Sequence, residues 1–485
     1  MINNPEKGIA MSSVQPRMQI LSEEQKNLFY EKALWVLKTV GVKVECPEMV
    51  REFADQPGAR CENDVVKLSG KLVEQALETA PRQVDIYNRR GEPAFSLGPD
   101  FNHHTRFSIG SPTLNYQHPE TREIEEWRRC HTGLIAGLAN SLDAFDAIAT
   151  PGTIHDYGPD QADYLSTLEL LANTHKPIIL LVSKDNAFPD ILSFIEHLFH
   201  GMRKKPFVVS YVNNITPLVL NKGTTDKMRT AYSMGLPVIF NNFVMAGAST
   251  PITPAGCMTL AIAELLMGIT CSQLIQPGAK IIAGSLANSF NMSTMNAFYS
   301  PTSLVVSHGI AEMMDSLGIP HSGTSGNSLG WEGDLIEAGI KWLNYLPSIM
   351  GKVGLCPFAG PVFQATTLSA TSIVLAAEVI REARKYARGF EMENNFLLDE
   401  IEAVGHGGSY LGTQATFERF RDYQPESDIW PSLTLESWKN SGMPTSTRML
   451  REKTAHLLNH PVLPADRQDV LEKGADYISR LGMGK

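Results

Sequence analysis

The residues that decide the fold are 237–285, PVIFNNFVMAGASTPITPAGCMTLAIAELLMGITCSQLIQPGAKIIAGS. The segment opens with an apolar run at 237–244, passes through TPAGCMTLAIAELLMGITCSQLI, and closes with a second apolar run at 279–285. Short runs bounded by turn residues read as buried strands. A largely apolar segment of that length, with its prolines confined to the start, reads as a helix. Two strands joined by such a helix are parallel, with a right-handed crossover.

The same unit recurs outward in both directions. Further runs lie at 106–110, 144–149, 177–183, 206–212, 319–323 and 353–356, and helical stretches such as DQADYLSTLELLANT, AFPDILSFIEHLFHG and SPTSLVVSHGIAEMMDSLG separate them. Eight parallel units favour a closed (β/α)8 TIM-type barrel over an open sheet. We place the barrel at 104–390, behind an N-terminal mixed α+β cap at 1–103 and ahead of a C-terminal helical extension at 391–485. In the cap, Ser22-Glu23-Glu24-Gln25 has capping-box spacing and predicts a helix to about Val40, with Gly41 as its stop.

Composition narrows the function. A net charge of -10 offers no basic face for a nucleic acid backbone, which leaves small molecules or proteins as partners. Six scattered cysteines without a Cys-x-x-Cys pair argue against a disulfide framework or a structural zinc site and fit a reducing cytoplasm. The first residues lack a signal-peptide core, no uncharged apolar stretch of about twenty residues reads as a membrane span, and a barrel of this size is expected to form a homo-oligomer. Dinucleotide-binding, phosphate-loop, nucleophile-elbow and zinc-protease motifs are all missing from the sequence.

In a barrel of this kind, chemistry sits at the C-terminal ends of the strands. The residues that follow the runs are mostly amides and aromatics, among them Asn241, Phe358 and Gln364, while Lys184 and Glu332 are the only charged ones. Each taken alone reads more readily as a loop cap or a core aromatic. As a set they suit a cation without an N–H, because ring faces attract quaternary ammonium without directed hydrogen bonds. Tyr211, Phe290, Phe298, Tyr299, Trp331 and Phe363 are the expected cation lining, with Glu332 as a counter-charge. Asn213, Asn242 and His321 are the expected partners of a substrate carboxylate.

Several blocks then carry a resemblance over nearly the whole chain. They include MAGASTPITPAG, AFYSPTS, GIAEMMDSLGIPHSG and FLLDEIEAVGHGGSYLGTQATFERFR, with SIGSPTLNYQ and PETREIEEW upstream. In these the sequence resembles the trimethylamine methyltransferase superfamily, whose members are barrels that pass an amine methyl group to the cobalt of a corrinoid (cobalamin) on a separate protein. The namesake enzymes hold pyrrolysine in the barrel. Here every residue is standard, including the loop HSGTSGNSLGWEGD, which is similar to the branch that acts on quaternary amines. Ser409 departs from the family motif, where a histidine stands.

The resemblance implies transfer from glycine betaine, giving dimethylglycine, to a cognate corrinoid protein. Proline betaine, carnitine and γ-butyrobetaine are alternatives of the same chemistry. No catalytic acid or base is assigned, since a quaternary ammonium already leaves as a neutral tertiary amine. Outside this class stand a lyase or isomerase using Lys184 or Glu332, and a non-catalytic quaternary-amine binder.

Overall fold

The computed structural model describes residues 13–101, 104–324, 329–392, 396–424 and 427–482. Eight parallel strands close on themselves: β1 (Arg106–Ile109), β2 (Ala147–Ala149), β3 (Ile178–Leu180), β4 (Val208–Asn213), β5 (Val238–Ala246), β6 (Ile281–Asn291), β7 (His321–Gly323) and β8 (Leu355–Ala359). Each pairs with the next, and Cys356 of β8 returns to Phe107 of β1. All eight expected strands are present, and closure removes the unpaired edges an open sheet would leave.

The long apolar helix forms at Pro254–Ile275, with Pro254 at its first turn and the Thr253 side chain accepting from Gly256 N–H. It is long and apolar enough to cross a bilayer, yet most of it is buried in the barrel wall. Its Gly268 explains how closely it approaches β5, since a Cβ there would lie 2.2 Å from the Phe240 ring.

The cap contributes the helix Glu23–Thr39, whose Ser22–Gln25 capping box forms as expected, and a sheet joined by Val219–Leu220 from the barrel. A hairpin, Val84–Tyr87 with Pro93–Leu97, closes the N-terminal end of the barrel. Val84, Ile86, Phe95 and Leu97 join one buried cluster with the inward residues Ala147, Ile179, Val209, Ile239 and Ile282. The hairpin therefore covers the barrel core from below. At the open end a small sheet from the loops after β1 and β8 (Asn115–Gln117, Ile124–Glu126, Pro361–Val362 and Thr367–Ser369) covers part of the mouth.

Beyond the helix Ala370–Arg388 the chain makes an excursion of short helices, Leu398–Val404, Gln414–Arg419 and Leu435–Asn440, none of which buries a residue. It returns as Ser446–Asn459 and Arg467–Arg480, which pack on the barrel helices and are pinned by Lys453–Glu378 and Arg89–Asp466 ion pairs, each at 2.7 Å.

One buried group ties stability to pH. His308, in the helix Pro301–Ser316, is buried, with Nε2 3.1 Å from Ser348 Oγ. Burial pushes its pKa down to about 4. The stability it contributes is full above the unfolded value near 6.5 and is lost as pH falls through the folded value. Between these limits the unfolded chain binds a proton that the folded chain excludes, an effect worth about 3 kcal/mol. Urea unfolding of wild type and His308→Gln between pH 7 and 4 is expected to give the variant the shallower acid loss. Parallel curves would remove His308 from the account.

Candidate active site at the barrel mouth

Alternation along each strand sorts the side chains into those facing the axis and those facing the helices. On β4, Val209 and Tyr211 point inward, and on β5 Ile239 does so, paired with Tyr211. Continuing by twos, Asn213 and Asn241 share the inward face and are paired in register. Asn242 must then face outward. There its Nδ2 donates to Ala261 O and Glu264 Oε2, both at 3.0 Å, so it braces a helix and is not available to a substrate carboxylate. Glu264 also accepts from Thr216 Oγ1 at 2.9 Å and Leu218 N–H at 2.7 Å, fixing the loop after β4. Burial raises its pKa while these hydrogen bonds pull it back.

The floor of the mouth is built around Gly284. A Cβ on this residue would lie 2.0 Å from Ser322 Oγ and 2.7 Å from Asn241 Oδ1, so the two oxygens meet over the space a side chain would fill. Asn241 Nδ2 donates to Asn242 O at 2.9 Å, which leaves its Oδ1 as the inward atom. Both Oδ1 and Ser322 Oγ are buried without a hydrogen-bond partner. An unpaired buried oxygen costs about 1–3 kcal/mol, so this close-packed floor is a polar spot in an otherwise apolar barrel interior.

Also inside the barrel, Tyr211 of β4 and Phe358 of β8 stand edge to face, with ring centroids 5.1 Å apart and planes at 65°. Burial holds the Tyr211 phenol far above its ordinary pKa, and nearby Tyr299 adds to the shift, so Tyr211 is neutral. A cavity of about 270 Å³ lies beside Tyr211, lined also by Leu181, Asn213, Asn221 and Thr224. The Asn213 carbonyl accepts from Thr224 Oγ1, which orders this wall.

Other expected residues fall elsewhere. Phe290 lines a separate cavity of about 230 Å³ against the starts of the helices Pro254–Ile275 and Pro301–Ser316, and half-buried Phe298 lies in the hairpin Asn296–Phe298 that pairs with the end of β6. Half-buried Phe363, after β8, donates its N–H to Gly330 O at 3.0 Å. Trp331 is 56% exposed, on the rim and not in the interior, and its carbonyl accepts from Gln117 Nε2 at 2.9 Å.

After Asn242, two further assignments are corrected by the partners the structure gives them. His321 pairs in register with Ala283, on the side away from Gly284 and Ser322. Its Nδ1–H reaches Ile319 O at 3.3 Å, its Nε2 accepts from Gly354 N–H at 3.2 Å, and burial depresses its pKa, so it is a neutral structural residue. Glu332 is held by Arg451 at 2.7 Å and Arg122 at 3.1 Å, so its charge is spent on tying the loop after β7 to the C-terminal helices and the mouth sheet. Lys184 is likewise paired with Asp160. With both charged exit residues tied up, the acid–base reading loses its groups. Ser325 and Asn327 of the same loop lie outside the described residues.

Ser322 was missed by sequence reasoning because the short β7, His-Ser-Gly, offers no apolar alternation from which to read its facing. Asn241 and Asn242 present the same ambiguity, since Ile239/Phe243 and Phe240/Val244 flank them equally.

The family model for trimethylamine methyltransferase (MTTB) matches residues 4–482. The chain belongs to this family. Family members similar to it include the trimethylamine methyltransferase MttB of Desulfitobacterium hafniense (strain DSM 10664 / DCB-2), 24% identical over 90% of this chain and 89% of that protein. The glycine betaine methyltransferase of D. hafniense (strain Y51) is 24% identical over 97% of this chain and 99% of its own length. Among solved structures, the Methanosarcina barkeri monomethylamine methyltransferase (MtmB) aligns with a TM-score of 0.55 at 9% identity over 91% of this chain and 88% of that one, a likeness of fold. As a member of this family, the chain is a methyltransferase. Among the described residues, no group of three or more His, Cys, Asp or Glu is placed to hold a metal ion.

Proposed function

We propose that this chain moves a methyl group from a small quaternary amine, glycine betaine by preference, to a corrinoid carried on a separate protein. The observation that carries the reading is the inward-facing Tyr211–Phe358 ring pair, in a barrel interior that also carries the acceptor Asn241 Oδ1. Ring faces and an amide oxygen stabilise a cation that has no proton to donate, whereas a lone unpaired carboxylate in this position would hold it as an ion pair and resist release. The near-full alignment with a relative named glycine betaine methyltransferase supports the substrate class.

The corrinoid, when docked, supplies the nucleophile. The protein's own work is to strip water from the cation, seat it against Tyr211 and Phe358, and present one methyl outward, which is catalysis by positioning. No general acid is required, because the departing group is a neutral tertiary amine.

The rim fits a large apolar face arriving from outside. Leu114 after β1, Ile215 after β4, Ile252 after β5, Met292 and Met295 after β6 and Trp331 after β7 are all exposed around the mouth. A ring of this kind marks a docking surface and suits the corrinoid and the protein that carries it.

The test mixes the protein with reduced cobalamin and follows the visible spectrum after addition of glycine betaine, proline betaine, carnitine or trimethylamine. Loss of the reduced spectrum with glycine betaine, and dimethylglycine as product, is the expected result. Turnover of trimethylamine would overturn the quaternary-amine reading, preference for another betaine would move the substrate, and no turnover with any of the four would favour a binding protein.

A further inference from the structure

The end of the barrel opposite the mouth carries a cavity of about 440 Å³ whose charge is out of keeping with the rest of the chain. Arg17, His104, Lys352, Arg384 and Arg388 line it, and no aspartate or glutamate does. In a chain of net charge -10, the four cations Arg17, Lys352, Arg384 and Arg388 on one concave surface focus a positive field.

Most arginines of this protein are neutralised where they stand. Arg51, Arg60, Arg89, Arg106, Arg129 and Arg229 each have a carboxylate within 4.0 Å. Around the cavity, among the described residues, only Arg384 does. Its Nη2 lies 3.1 Å from Asp146 Oδ2 and donates to Thr105 O at 3.2 Å, while Nη1 donates to Ala144 O at 3.1 Å. Asp146 also receives Arg106 at 2.9 Å, so one carboxylate serves two guanidinium groups.

Helix-end electrostatics account for Arg388, which stands in the last turn of Ala370–Arg388. They do not account for Arg17, which precedes the first helix, or for Lys352, which sits at φ +56 in the turn between Leu335–Met350 and β8. Neither Arg17, Lys352 nor Arg388 has a carboxylate partner within 4.0 Å among the described residues. Arg384, held from behind by three oxygens and packed over the Phe107 ring at 5.4 Å, gives the site one pre-oriented guanidinium.

We infer that this cavity is a second binding site, for a small polyanion carrying two or more phosphate groups. One phosphate would leave several of these cations unmet, and the volume is that of a small-molecule pocket and not of a single ion. The inference does not depend on which amine the mouth accepts.

The experiment is titration calorimetry of the full chain with inorganic triphosphate, pyrophosphate and orthophosphate at constant ionic strength, with sodium chloride as the screening control. Triphosphate is expected to bind saturably, with affinity falling in the order triphosphate, pyrophosphate, orthophosphate. Each charge-assisted contact is worth about tenfold, so Arg17→Gln/Lys352→Gln/Arg388→Gln should weaken triphosphate by at least about a hundredfold. These three side chains are far from the mouth, and the single variant Lys352→Gln gives the same direction, about tenfold, if the triple variant is less stable. Binding that is unchanged in the variants, or heat with triphosphate no larger than the chloride control, would overturn the proposal.

Discussion

Tyr211→Leu is expected to lower kcat/KM for the preferred betaine by at least about 30-fold, since a desolvated cation–π contact is worth about 2 kcal/mol or more and the aliphatic side chain offers no ring face. The loss should appear mainly in KM. On the proposed reading the ring contacts the cation both before and during transfer, and an interaction equal in the two states changes binding without changing the chemical step. Tyr211→Phe separates the ring from its hydroxyl. The phenol is neutral and the edge-to-face contact with Phe358 survives without it, so this variant is expected to stay within about threefold of wild type, in line with the small net worth of one hydrogen bond. Steady-state kinetics on the two variants decide the matter. If leucine is as good as tyrosine, the cation is not held at this ring. If phenylalanine is as poor as leucine, the hydroxyl is a direct partner and the account by ring face is wrong.

The barrel was legible because its signal is repeated. Each strand–helix unit restates the same period, and an error in one, such as the late start of β2 at Ala147 in the 144–149 run, does not disturb the other seven. The inward facing of Tyr211 was not legible in the same way, since Phe207 and Val209 on its parity and Val208 and Val212 on the other make the strand apolar on both faces. Two of the residues misread share that ambiguity. His321 and Asn242 stand at the right height on the barrel but on its outer side, and a stretch apolar at both parities gives no way to tell inner from outer. Glu332 was misread because its two arginines come from positions 122 and 451, and no local pattern reports a partner so distant in sequence. The floor around Gly284 was invisible for the same reason, since it exists only once β5, β6 and β7 are side by side.

The largest stability effect is expected from Lys341→Met. Lys341 and Glu337, one turn apart on the helix Leu335–Met350, are both fully buried, with Nζ 2.8 Å from Oε1, and Ser372 Oγ donates to the same carboxylate oxygen. Burial pushes the Glu337 carboxyl up, and the lysine is the main influence pulling it back. Removing the lysine leaves that burial unopposed, so unfolding free energy should fall by about 3–5 kcal/mol near neutral pH. The variant should also recover stability on acidification. A carboxyl whose folded pKa lies above its unfolded one contributes stability that is full below the unfolded value and is lost as pH rises through the folded value. Glu337→Gln/Lys341→Met, which removes both charges, should lie closer to wild type than the single variant, because what destabilises is the unpaired charge and not the missing pair. The same helix begins at Asp334, whose side chain caps it beside Trp331, and its Ser348 bonds Thr324 Oγ1 at 3.0 Å at the exit of β7. Loosening it should therefore raise KM as well, by moving the rim. Urea unfolding across pH 5 to 8 with kinetics on the same samples is the test, and Lys341→Met as stable as wild type at neutral pH would show that the buried pair does not hold this helix.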